Sequence, residues 1–179
     1  MNSPIKYPLL RRLLMLFCLL MISIIIVIPA MAQEKPPRPI KIIVNLARYL
    51  NFGTIIPTSV SGGTLHVDYD GTPTPNGDIL LLHSYLCTSL LFIVDAEPGV
   101  LINIIYPVPN PVLNNGGNHL QMHLGTPNVE LQSGSNGSQF ITKTQFTNIY
   151  IGGTLDIGPL ATNPAGNYLG TFPVTFIQQ

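Results

Sequence analysis

The sequence has no tryptophan, only two cysteines and little charge, with eight Lys or Arg and eight Asp or Glu making up 9% of 179 residues. Each shortage excludes something. Without a basic excess there is no footprint for nucleic acid, whose phosphates call for clustered Lys and Arg. Cys18 lies in an N-terminal apolar run and Cys87 stands apart, so no disulfide staples the body. It must be held by a hydrophobic core, or by strand pairing with a partner. The lack of Trp thins any platform for stacking sugar rings. Beyond the leader, no stretch of ten residues carries apolar positions at helical spacing, which leaves an all-β reading.

What is present begins with Lys6, Arg11 and Arg12, an apolar run from Leu13 to Ile28 broken only by Ser23, and then Ala30-Met31-Ala32 after Pro29. This is the charged region, apolar region and small-residue cut site of a secretory signal peptide. The run is shorter than the roughly 20 residues that span a bilayer, and an uncleaved N-terminal anchor is the alternative. No Cys follows Ala32 to take a lipid. The expected organisation is a signal peptide over 1–32, a Pro-rich linker over 33–39 and one β-sandwich domain over 40–179. The expected location is exported: periplasmic, cell-surface or secreted. Once the leader is removed, five bases face eight acids, and neither nucleic acid nor membrane is an expected partner.

The body alternates with a period of two. Ile40, Ile42, Val44 and Leu46 predict a first strand directly behind the linker. Arg48 to Pro57 continues it to a corner, and Leu65, Val67 and Tyr69 alternate with Thr64, His66 and Asp68. Thr72 to Gly77 reads as a turn-rich loop, and Asp78 to His83 as another strand. Leu90 to Asp95 and Val100 to Tyr106 are apolar on both faces, with a Pro-Gly turn between them, and so predict central strands. Leu120, Met122 and Leu124 alternate with His119, Gln121 and His123; Gly134 to Ser138 reads as a surface loop. Phe146 to Ile157 predicts a strand bent at Gly152-Gly153. Tyr168 to Ile177 predicts the closing strand, with Gly170, Phe172, Val174 and Phe176 on the core side of Tyr168. Pro173 places it at a sheet edge or a bulge. Gly62-Gly-Thr-Leu-His-Val67 is echoed by Gly152-Gly-Thr-Leu-Asp-Ile157, which predicts two strands opened by the same Gly-Gly pair.

Candidate chemistry is sparse. His119 and His123 have the spacing of zinc ligands on a helix, but on a strand four residues span about 13 Å, too far to share an ion. His66 and His83 stand alone. Asp68, Asp70 and Asp78 with Gly71 lack the full calcium loop and its terminal Glu, so turns are the preferred account. Cys87 and His83 are separated if their segment is extended, and an idle buried thiol is expected. Tyr49, Tyr85, Tyr106 and Tyr150 are candidates for sugar stacking, with core packing as the default. No catalytic, cofactor-binding or metal-ligating residue is assigned, no cofactor is expected, and the protein is read as a non-enzyme.

Phe52-Gly-Thr54, Gly63 to Val67 with Asp70-Gly71, Glu97-Pro-Gly99, Gly152 to Leu155 and Pro164 to Val174 together resemble an exported bacterial family, domain of unknown function 4402. The resemblance spans about residues 40 to 178 and implies a periplasmic or cell-surface β-sandwich without known catalytic residues. Gly166, Tyr168 and Gly170 also resemble the C-terminal strands of chaperone–usher pilins and spore-coat-U-like subunits. That looser likeness implies strand exchange between subunits, with Ile40 to Leu46 as donor; pairing within its own chain is the alternative. The expectation is an immunoglobulin-like or pilin-like antiparallel sandwich acting as a structural or adhesion-related component. Other subunits would be its partners through strand pairing, and a glycan- or envelope-ligand-binding module is the alternative.

Overall fold

The computed structural model describes residues 12–17, 36, 38–130 and 137–179. The chain divides into two units, Met1–Pro37 and Arg38–Gln179. In the first, residues 12–17 are helical and solvent-exposed. The rest of the expected signal peptide, most of the linker and residues 134–136 of the expected surface loop lie outside the described residues.

The second unit is an all-β antiparallel sandwich. Its early strands are β1 (Lys41–Val44), β2 (Thr54–Pro57), β3 (Gly63–Val67), β4 (Pro73–Gly77), β5 (Ile79–Leu82), β6 (Leu90–Asp95) and β7 (Leu101–Ile105). Its later strands are β8 (Val112–Asn115), β9 (Asn118–Leu124), β10 (Asn128–Val129), β11 (Gln139–Ile141), β12 (Phe146–Ile151), β13 (Gly153–Ile157) and β14 (Thr175–Gln178). They hydrogen-bond in the orders β1-β6-β12-β10, β4-β3-β13-β9-β8, β11-β7-β14 and β2-β5.

The first two sheets are one layer, because one run of chain builds the middle of both. Phe146 to Ile157, expected as a single bent strand, is two strands that change sheets at Gly152. Thr147, Ile149, Ile151, Leu155 and Ile157 all point inward, so the odd-numbered face carries through the junction. Gly152 is required there: a β-carbon would stand 2.2 Å from the Val67 carbonyl oxygen. The two small sheets and the C-terminal segment form the opposing layer.

Two clusters fill the space between. In one, Phe92 and Val94 of β6 meet Ile102 and Ile104 of β7, with Ile149 and Ile151 beside them. As their apolar sequence requires, β6 and β7 are both interior strands, but of different sheets. In the other, Leu65, Val67, Met122 and Leu155 pack under Ile55, Ile79 and Leu81. Each such fully buried aliphatic side chain contributes roughly 1.5–3 kcal/mol. Leu50, Leu124 and Phe172 pack against both clusters and join them.

Two expectations are corrected. The segment 72–77 is no loop, because β4 pairs with β3 along the rim of the sheet. Bonds from Asp68 N to Thr72 O and from Asp78 N to Gly62 O set its phase. That phase leaves Pro73 and Pro75 opposite Val67 and Leu65 at positions asked for no N–H. The closing strand is also shorter than its alternation. Only Thr175–Gln178 forms a ladder, after an isolated bridge between Asn114 and Leu169. Pro173 lacks a donor, and Gly170 crosses so near Val112 that a β-carbon there would lie 2.6 Å from its carbonyl oxygen. The alternation itself survives, since Phe172, Val174 and Phe176 all pack on the core. As Pro173 requires, β14 runs along a sheet edge.

Candidate functional site

Pro39 biases the residue before it toward extended backbone, and Lys41-Ile-Ile-Val44 is rich in the β-branched residues that suit a pleated ladder. The resulting β1 lies along the rim of its sheet, with Ile42 opposite Val94 and Ile43 opposite Ile93 of β6. Among the described residues it is paired on one side only. Ile40 and Ile42 pack on the core, whereas Val44 remains 48% exposed. The alternation expected to reach Leu46 stops at Val44. There the Asn45 side chain accepts the Ala47 N–H at 3.0 Å and turns Leu46 out to 87% exposure.

Side chains from the far end of the sequence lock this strand in place. The Gln178 amide accepts the Ile40 N–H at 3.0 Å and donates to the Arg38 carbonyl at 3.2 Å, reading the linker backbone as a neighbouring strand would. Arg38 pairs with Asp95, which also accepts from Gln145. The Arg38 hydrogen bond, then that of Gln145 and the charges of Arg38 and Lys41, hold the Asp95 carboxyl below its usual range. Sequence reasoning missed Gln178 and Asp95. They lie 138 and 57 residues from their partners, and no local pattern signals such a contact.

The histidines do not converge. His66 and His123 flank Thr154 in one cross-strand row on the outer face of β3, β13 and β9. There His66 Nδ1 meets Thr154 Oγ1 at 2.9 Å and His123 Nε2 meets Asp156 Oδ2 at 2.8 Å. His119 instead bonds to Asn114 at the other end of β9. His83 takes a left-handed conformation before the turn Ser84–Leu86. Among the described residues, no group of three or more His, Cys, Asp or Glu is placed to hold a metal.

Asp68 and Asp70 stand at one end of β4 and Asp78 at the other, about 16 Å apart along five strand residues. Asp70 accepts the Thr72 N–H at 2.7 Å, a turn bond that lowers its pKa. Asp78 accepts from the Ser59 hydroxyl at 2.6 Å. Cys87 does not follow an extended segment. Leu86 N donates to His83 O and Cys87 N to Ser84 O, closing a single tight turn. The thiol is buried against Gly53, and burial pushes its pKa up, away from the reactive thiolate.

Three tyrosines have separate settings. Tyr49 is exposed, Tyr106 is half-buried with its hydroxyl donating to Gly125 O, and Tyr150 lies 4.9 Å beneath the Arg48 guanidinium. Burial also raises the Tyr106 pKa. The side chain of Tyr85 lies outside the described residues. An open groove of about 530 Å³ runs between residues 108–112 and 169–173, lined by Val108, Pro111, Val112, Leu169 and Pro173. None of its lining side chains titrates, so it offers no acid or base.

Among the described residues, no helix is long and apolar enough to cross a membrane. No curated protein and no solved structure matches the chain. A family match covers residues 43–177, from the middle of β1 into β14, and so takes in nearly every strand described above. The chain belongs to that family, described as Domain of unknown function (DUF4402).

Proposed function

We propose that the protein is an exported, non-catalytic sandwich serving as a structural or adhesion-related component of the periplasm or cell surface, a pilin-like subunit joined to its neighbours by strand pairing. The observation that carries this reading is the position of β1. It is the first strand after the linker, lies on a sheet rim, and covers the edge of the most apolar strand in its sheet, β6. It brings only Ile40 and Ile42 to the core, so the same strand from another copy would fill the place equally well. The leader residues and the scarcity of grouped titratable side chains support export and the lack of catalysis. The alternative of a glycan-binding module has less support, because Tyr49, Tyr106 and Tyr150 form no common platform and the Tyr150 face is taken by Arg48.

Paired variants that each add one surface cysteine test the exchange. Ile43 and Ile93 are cross-strand partners, a separation that a disulfide spans. Co-expressed Ile43→Cys and Ile93→Cys chains are expected to yield a disulfide-linked heterodimer. If the double variant closes an internal bond in one chain while the mixed singles never cross-link, strand exchange is ruled out.

A further inference from the structure

The two edges of β1 are held in different ways. Asn45 N bonds to Leu91 O, and Ile43 and Lys41 stand opposite Ile93 and Asp95 in the same register, so the odd-numbered residues of β1 turn their backbone groups to β6. The even-numbered residues turn theirs to the rim. There the Gln178 amide takes the place of a strand, accepting from Ile40 N and donating to Arg38 O, while among the described residues Ile42 and Val44 have no partner on that side.

Little else holds the segment. No residue from 38 to 47 is buried, whereas β6 beside it buries Leu90, Leu91, Phe92 and Val94. The bonds of β6 to β12 come from its even-numbered residues, in register with the bond from Ala96 N to Gln145 O, so they survive when β1 departs. A turn at Asn45 to Ala47 separates β1 from Asn51, which bonds to Thr88 by itself. A segment with few buried side chains and one hydrogen-bonded neighbour is the kind that opens locally in a folded protein.

We propose that β1 leaves β6 as a unit while the sandwich stays folded, and that Gln178 is the latch that sets how often it does so. The latch is carried by β14, whose ladder with β7 does not involve β1. Opening bares the backbone groups of Ile93 and Asp95 and the seat of Ile40 and Ile42, an edge ready to receive the β1 of another copy. That purpose rests on the strand-pairing reading above, whereas the opening belongs to a single chain.

The test is native-state hydrogen exchange on protein purified from cells expressing the full chain, read amide by amide by NMR as urea is raised below the unfolding transition. β6 carries its own control, since the Ile93 amide faces β1 and the Val94 amide faces β12. Ile43 and Ile93 are expected to exchange at a common rate, roughly a hundredfold faster than Val94 and nearly independent of urea. Gln178→Met keeps the length of the side chain but removes both hydrogen bonds, and should speed Ile43 and Ile93 about tenfold. Gly152→Ala disturbs contacts that persist when β1 is open, so it should speed Val94 and leave Ile43 and Ile93 as they were. Exchange of Ile43 and Ile93 only at the rate of Val94 overturns the separate opening, and a response to Gln178→Met no greater than to Gly152→Ala overturns the latch. Fast, latch-dependent opening without a cross-linked heterodimer in the cysteine test would uphold the latch and remove exchange, so the two readings fail separately.

Discussion

Gly152 is pressed against the carbonyl oxygen of Val67, so that a β-carbon on it would lie 2.2 Å away. The relationship has a mate. A β-carbon on Gly62 would lie 2.1 Å from the carbonyl oxygen of Ile157. The two Gly-Gly-Thr-Leu segments are antiparallel neighbours, with Leu65 opposite Leu155 at their centre. Each first glycine admits the end of the other strand, so the sequence echo is a local two-fold within the larger layer.

Substituting either glycine by Ala should therefore cost more than lost backbone freedom. We expect Gly152→Ala to lower stability by about 1–3 kcal/mol, because the obstacle is backbone and cannot swing aside. Gly62→Ala adds the strain of a left-handed residue (φ 71°). Gly99→Ala, at φ 88° with nothing within 4 Å, isolates that strain alone and should be the mildest. Urea unfolding of the three variants gives the order; equal losses would deny the steric origin.

Phe172 touches both hydrophobic clusters although it belongs to no ladder. Truncation to Ala should cost about 2–3 kcal/mol, less than for a fully enclosed Phe. It should also loosen the coupling of the two clusters, seen as a broader thermal transition. A large loss with undiminished cooperativity would show that Leu50 and Leu124 suffice to join them.

Period-two alternation made the strands legible, because one pleated face is buried nearly everywhere. The centrality of β6 and β7 followed from their being apolar on both faces. Two things were not legible. Residues 72–77 carry the Pro and Gly of a loop, and only the phase of the β3 ladder reveals that the prolines fall where no N–H is needed. The clasp of Arg38, Asp95 and Gln178 joins distant parts of the chain, which local pattern cannot register. For the candidate site, the strand at Ile40 to Val44 could be read, but not what held it.

Stability should fall at acid pH through that clasp. Arg38 stabilises the ionised form of Asp95, and the folded-state pKa is depressed from its ordinary value of 3.8. The contribution is thus complete above that value and disappears as pH drops through the depressed one. The gap in stability between wild type and Asp95→Asn should be constant from about pH 5 to 7 and close toward pH 2. Urea titrations across that range check this; a gap that widens on acidification would reverse the assignment. Because the Arg38 side of the pair is open to solvent, added salt should narrow the gap.

Thr142 shows how a buried hydroxyl can set a turn. It is 2% exposed; its Oγ1 donates to Glu97 O and accepts the Val100 N–H at 3.0 Å, bracing the turn between β6 and β7. Its backbone closes the same turn, accepting from Gly99 N and donating to Val100 O. Thr142→Val keeps the shape but leaves the Glu97 carbonyl and the Val100 N–H without this partner, an expected loss of about 1–3 kcal/mol. Thr142→Ser keeps the hydroxyl and gives up one methyl group, a smaller loss of about 1 kcal/mol. The order Val worse than Ser separates the hydrogen bonds from packing, since the hydrophobic contribution alone would predict the opposite. Faster amide exchange at Val100 in Thr142→Val, with the β3–β13 ladder unchanged, would locate the damage at the turn that brings β6 and β7 face to face.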